Sequence, residues 1–210
     1  MIASEADARD FVAERCDGDA LCKLERLVDL LAQENGRQNL IAKASEESVW
    51  TRHLADSAQL LDHVPRETPG SWLDLGTGAG FPGLIIAIMR PDWTVRLVES
   101  RNRRIEWLQG IVDSFELGRC KVEGRRLELV ESFGASVISA RAFAPMPRLL
   151  ELSARFSTSD TIWLLPKGRS AAQDVESLPK PLRPMFHVEQ SQTDSDAGIV
   201  VGKGQVELKR

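Results

Sequence analysis

The chain has 210 residues, 42% hydrophobic and 28% charged, which suffices for one sizeable buried core plus an extension. Its 27 Lys and Arg against 31 Asp and Glu leave a formal net charge of −4. That balance argues against a protein that coats nucleic acid indiscriminately, although a local basic face is compatible with it. No apolar run approaches the roughly 18 residues of a membrane span, and the opening MIASEADARDF lacks the basic and apolar regions of a signal peptide. Cys16, Cys22 and Cys120, and the scattered His53, His63 and His187, fit no metal or redox spacing. A cytoplasmic protein with no metal site and no membrane contact is therefore expected.

In chain order, residues 1–65 read as a helical extension. Leu21, Leu24, Leu27, Val28 and Leu31 recur at three- and four-residue steps, one face of a helix that Asp19 is expected to cap. A second helix is expected over about 46–61. The segment HVPRETPGS then breaks it, and residues 66–210 form the second unit. From Ser71 strands and helices alternate: SWLDL, helix PGLIIAIMR, strand TVRLVES, helix RNRRIEWLQGIVDSF, strand RCKVEG, short helix RRLELVES, strand ASVISA, helix PMPRLLELSARF, strand DTIWLLPKG. A short helix near SAAQDVESL and a closing hairpin, MFHVEQ and GIVVGKG, complete the chain. This is the pattern of an α/β, Rossmann-like, mostly parallel doubly wound sheet with an antiparallel edge strand.

The strongest local signal is the run Asp74-Leu-Gly76-Thr-Gly78-Ala-Gly80-Phe-Pro-Gly83, between the first strand and the next helix. Such sheets bind ligands at that place, where glycines let the backbone turn tightly and approach a ligand closely. The match to G-x-G-x-x-G alone is weak. Asp74 would repel a pyrophosphate but can hold a water or an amine near the loop. The dinucleotide register is also displaced by two residues. The run resembles the first motif of class I methyltransferases, in which the loop packs against the methionine part of S-adenosylmethionine. Glu99, ending the second strand, can accept both ribose hydroxyls, a feature that NAD and S-adenosylmethionine share. Glu128, after the third strand, can accept from an adenine amino group.

After the fourth strand stands Ser139-Ala-Arg141-Ala-Phe-Ala-Pro-Met-Pro. An amino-group methylase would be expected to carry Asn/Asp-Pro-Pro-aromatic here, and a cytosine C5 methylase a nearby cysteine. Neither is present, which fits an acceptor that is already nucleophilic, such as guanine N7. Arg52, His53, Asp56 and Ser57 lie at helical spacing and either shape the base site or fix the helix to the domain. Lys167, at the end of the fifth strand, and Arg141 lie on the same rim. Lys167 is a candidate for RNA phosphate, and so are Arg101, Arg103, Arg104, Arg125, Arg126 and Arg148.

Six segments together resemble one family: Asn39-Leu-Ile-Ala, Arg52-His-Leu-Ala-Asp56-Ser57, Leu73 to Gly83, Val98-Glu-Ser100, Val137-Ile-Ser-Ala-Arg141-Ala and Pro166-Lys-Gly168. The chain is similar to the RsmG (GidB) family of bacterial small-subunit rRNA guanine-N7 methyltransferases. In one departure, Ala140 stands between Ser139 and Arg141. The resemblance implies S-adenosylmethionine contacts at Gly76, Phe81, Leu127 with Glu128, and Arg141, in addition to Asp74, Gly78 and Glu99. It implies 16S rRNA, or the small ribosomal subunit, as partner. A small-molecule methyltransferase of the same fold, or a non-catalytic Rossmann-like nucleotide-binding protein, are the competing readings.

Overall fold

The computed structural model describes residues 1–65 and 70–207. The boundary expected between 65 and 66, and part of the break over 63–71, lie outside the described residues. The strands are β1 (Ser71–Leu75), β2 (Thr94–Glu99), β3 (Cys120–Gly124), β4 (Val137–Ala140), β5 (Ile162–Lys167), β6 (Phe186–Gln190) and β7 (Gly198–Lys203). They form one sheet of order β3-β2-β1-β4-β5-β7-β6. β1 to β5 are parallel, and β7 runs antiparallel between β5 and β6. The order reverses beside β1, so β1 and β4 diverge at their carboxyl ends and open a crevice there.

Helices cover both faces. α1 (Glu5–Ala13), α2 (Gly18–Gln38), α3 (Asp56–Ala58), α4 (Gly83–Met89) and α5 (Asn102–Ser114) lie on one side, α6 (Met146–Ser153) and α7 (Ala171–Glu176) on the other. Period-two alternation in β1 sends Trp72 to the first core and Leu73 and Leu75 to the second. Leu24, Leu27 and Leu31 of α2 are fully buried, worth roughly 1.5–3 kcal/mol each. The cap of α2 corrects the sequence expectation. Asp17, not Asp19, accepts from the Ala20 amide at 2.8 Å, because the helix begins two residues earlier, at Gly18.

The second helix is also irregular where one regular helix was expected. A 3₁₀ segment (Lys43–Ser48) leads into a π-helical turn (Trp50–Ala55), then α3, then a second 3₁₀ turn (Gln59–His63). Glu5 of α1 accepts from the Trp50 and Thr51 amides at 2.8 and 2.9 Å, capping the π turn from outside its own element. Buried Asn35 accepts from the Ile41 amide at 2.8 Å and donates to Glu46, which holds the intervening loop against α2. No helix among the described residues is long and apolar enough to cross a membrane.

Buried Gln59 fastens the extension to the sheet. It donates to Asp56 at 2.9 Å and to Ser191 at 3.3 Å, and its oxygen accepts from the Gln192 amide at 2.8 Å. Gln59→Leu removes the acceptor from the half-buried Gln192 amide and the donor to Asp56 and Ser191, at a cost of about 1–3 kcal/mol. The expected result is a lower urea midpoint with an unchanged m-value.

Candidate active site

The turn after β1 follows from its glycines. Gly76 and Gly78 have φ of +63° and Gly80 +111°, which favour residues without a Cβ. A Cβ at Gly76 would lie 2.6 Å from Phe143 Cδ2. The loop is fastened on several sides. The Thr77 amide donates to Val98 O at 3.0 Å, and Trp107 of α5 donates to Ala79 O at 3.0 Å. Asp74 accepts from the Gly83 amide at 2.9 Å and from Ser139 Oγ at 2.6 Å, and Ser139 in turn accepts from Trp72 Nε1 at 2.7 Å. Burial raises the Asp74 pKa against the pull of these donors. The expectation that Asp74 holds a water or ligand amine is corrected: the residue is fully enclosed, and its carboxylate serves the protein's own loop and helix. The buried Thr77 hydroxyl lies beside the Asp74 carboxylate and, with Ser139 and the Gly83 amide, opposes the rise in its pKa.

Glu99 sits at the end of β2 facing this turn. It accepts from the Gly78, Ser100 and Arg101 amides at 3.2, 2.7 and 2.9 Å, with Arg104 Nη1 at 3.8 Å. The carboxylate is thus aimed by three amides beside the glycine turn. At the end of β3, Leu127 buries its side chain in the second core, leaving only its backbone for the rim, whereas Glu128 is exposed.

The second half of the site is a polar cluster between the extension and β4. β4 ends at Ala140, so Arg141 projects just past the strand. Its Nη1 lies 3.5 Å from Asp56 Oδ2 and 3.1 Å from His53 Nδ1, and it donates to Arg52 O at 3.2 Å. A guanidinium only donates, so His53 Nδ1 accepts and the proton resides on Nε2, which reaches Ser45 Oγ at 3.1 Å. Burial, Arg141 and Arg52 depress the His53 pKa to about 3, so the ring is neutral. It stacks on Phe81 of the glycine turn, centroids 4.9 Å apart and planes within 6°, with Arg141 5.3 Å from the same ring centroid. Burial raises the Asp56 pKa despite the opposing charge of Arg141, and Thr193 donates to it at 3.0 Å.

This cluster lines a cavity of about 760 Å³ bounded by the π turn, the ends of β4 and β5, and the β6–β7 turn. Three ion pairs stand in its walls: Arg141–Asp56, Arg52–Asp194 at 3.1 Å and Lys167–Asp174 at 3.8 Å. Lys167 therefore faces this cleft, with its side chain mostly buried and paired with Asp174. Ser57 is a correction: its hydroxyl donates to His53 O at 2.6 Å and is buried in its own helix, so it does not face the cavity. Four residues were missed. Phe143 lay within a segment already marked by Arg141, and Ser45 eight residues before His53. Thr193 and Asp194 carried no local signal, because the hairpin turn brings them in from the far end of the chain. Among the described residues, no group of three or more His, Cys, Asp and Glu is placed to hold a metal ion.

A family model described as rRNA small subunit methyltransferase G matches residues 20–195. The chain belongs to this family. It is 58% identical to the Ribosomal RNA small subunit methyltransferase G of Erythrobacter litoralis, over 98% of this chain and 99% of the relative. It is 53% identical to that of Novosphingobium aromaticivorans, over 96% and 89%. Among solved structures, a putative O-methyltransferase from Klebsiella pneumoniae superposes with a TM-score of 0.56 at 16% identity, covering 86% of this chain and 90% of that one. The Methanococcus jannaschii fibrillarin pre-rRNA processing protein gives 0.52 at 16%, covering 69% and 70%. Both likenesses concern the fold. The family match spans the glycine turn, the π turn and most of the cavity lining.

The His53 assignment has a measurable consequence. Its folded pKa of about 3 lies below the roughly 6.5 of a free imidazole. Between those values the unfolded chain binds a proton that the native state does not, so this group lowers stability as pH falls and is neutral above the window. His53→Asn keeps an acceptor for Arg141 and removes the titration. The difference between wild-type and variant unfolding free energies is expected to change by about 1.4 kcal/mol per pH unit between pH 4 and 6, and to be flat above pH 7.

Proposed function

We propose that the chain transfers the methyl group of S-adenosylmethionine to N7 of one guanosine in the 16S rRNA of the small ribosomal subunit, in the cytoplasm. The observation that carries this reading is a shared wall: His53 and Arg141 touch Phe81 of the glycine turn and also line the adjoining cavity. Donor and acceptor are then held on either side of one rigid group.

The residues present fit the cofactor. Gly76 and Gly78, without a Cβ, let backbone approach the methionine end beside Phe143, and Glu99 is oriented toward the turn for the ribose hydroxyls. Leu127 backbone and Glu128 flank the purine side. When bound, the cofactor supplies an electrophilic methyl group on a sulfonium. Transfer to N7 would exchange a C–S bond for a C–N bond and pass the positive charge to the purine, so no proton would have to leave. The chain has no need of a general base, in keeping with a neutral His53 whose two nitrogens are both engaged. Catalysis then rests on positioning, which contributes roughly 7–11 kcal/mol in favourable cases.

With labelled S-adenosylmethionine and 16S rRNA, label is expected in the rRNA and to be recovered as 7-methylguanosine after digestion. Label in small metabolites only, or in another nucleoside, contradicts the assignment. In thermal unfolding, S-adenosylhomocysteine at about 100 times its dissociation constant is expected to stabilise the chain by about 2.7 kcal/mol. NAD at the same concentration is expected to have no effect; equal stabilisation by NAD points to a dinucleotide site.

A further inference from the structure

The arginines near the site differ in what already holds them. Arg148 is paired with Glu151 at 2.6 Å and lies close enough to Glu128 for its pKa to be raised further. Arg104 is turned inward to Glu99. Arg101, Arg103 and Arg126 are exposed and have no carboxylate within ion-pair distance among the described residues. Arg125 reaches Glu123 only at 3.9 Å, and that buried carboxylate is already shared with Lys121 at 2.8 Å and Arg96 at 3.3 Å.

These four occupy one rim. Glu99 and Gly124 are register partners at the carboxyl ends of β2 and β3, about 4.8 Å apart as neighbouring strands are. Arg101 follows Glu99 by two residues, and Arg125 and Arg126 follow Gly124 directly. Arg101 and Arg103 also border a cavity of about 550 Å³ closed on its far side by Gln38 and Asn39 at the end of α2. Gln38 donates to Arg103 O at 3.3 Å and Arg103 donates to Arg37 O at 2.8 Å, so the wall is built and not frayed.

We propose that Arg101, Arg103, Arg125 and Arg126 form the surface that binds phosphates of the RNA substrate, beside the glycine turn and on the opposite side from the base cavity. This rests on the RNA reading given above. Phosphates are the chemistry that fits: a row of exposed guanidiniums at one rim offers forked donors and charge, and no apolar floor for a peptide or lipid. RNA held along this rim and inserting one base into the far cavity would span the cofactor turn.

The test measures binding of a 16S rRNA fragment by the full chain across a salt series. R101Q/R103Q and R125Q/R126Q are each expected to lower the salt slope by about 2 and to weaken binding roughly twentyfold at 0.15 M salt. R148Q, whose charge is already paired, is expected to keep the wild-type slope. Each variant is checked by its thermal shift with S-adenosylhomocysteine, which is expected to match wild type and separates lost contacts from lost folding. Two double variants at different strand ends keep the test intact if one fails to fold. Wild-type slopes in both doubles, or an equal loss in R148Q, overturn the surface. A flat salt response in a wild-type chain that still methylates 16S rRNA overturns the surface alone. Failure of the wild type to methylate 16S rRNA overturns the functional reading with it.

Discussion

A buried carboxylate organises this molecule. Asp74 sits in the central strand with no exposure, and its two oxygens are taken by the start of α4 and by Ser139 of the neighbouring strand. An ionised carboxylate without partners would not survive there. With them, it ties β1, β4 and the glycine turn to one point, and Trp72 extends the tie through Ser139 into the first core. The glycine turn is consequently a fixed object before any ligand arrives. Gly83 must be a glycine for the same reason, since a Cβ there would fall 2.6 Å from Asp74 Cβ.

The extension completes the site. Phe81 belongs to the turn that Asp74 fixes, His53 stacks on Phe81, and Arg141 closes a triangle with His53 and Asp56. Breaking a charge cluster of this kind by removing one partner leaves an uncompensated charge. The polar tie at Gln59 and the ion pairs into the β6–β7 turn therefore do more than dock a helical arm. They set the distance between the glycine turn and the cavity, the quantity on which the proposed catalysis by positioning depends.

What was legible in the sequence divides along physical lines. The strands and their order of alternation were readable, because apolar runs such as SWLDL and TVRLVES carry local information, and the glycine turn announced itself through positions needing positive φ. Asp17 lies outside the apolar repeat, so the local pattern points to Asp19 as the cap. Spacing alone groups Ser57 with His53 and Asp56, because it cannot tell which way a hydroxyl turns, and a π turn changes the phase of the helix without any composition signal. Asp74 resembles a ligand contact in sequence because its burial is a tertiary property. Thr193 and Asp194 were invisible because their partners Asp56 and Arg52 lie some 140 residues away, related only through the closing hairpin.

The net charge of −4 and an RNA substrate are compatible once charge is followed by place. Many of the carboxylates have duties inside the molecule: Asp17 caps α2, Glu5 caps the π turn, Asp74 and Glu99 hold the glycine turn, and Asp56, Asp174 and Asp194 stand in the cavity paired with cations. Glu123 is buried among three cations. Spending acidic groups on internal structure around the carboxyl ends of the strands leaves arginines outermost there, so the rim that faces a nucleic acid is basic while the whole is acidic. Weak attraction to RNA in general, combined with local attraction at one rim, favours recognition of a single structured site over indiscriminate coating.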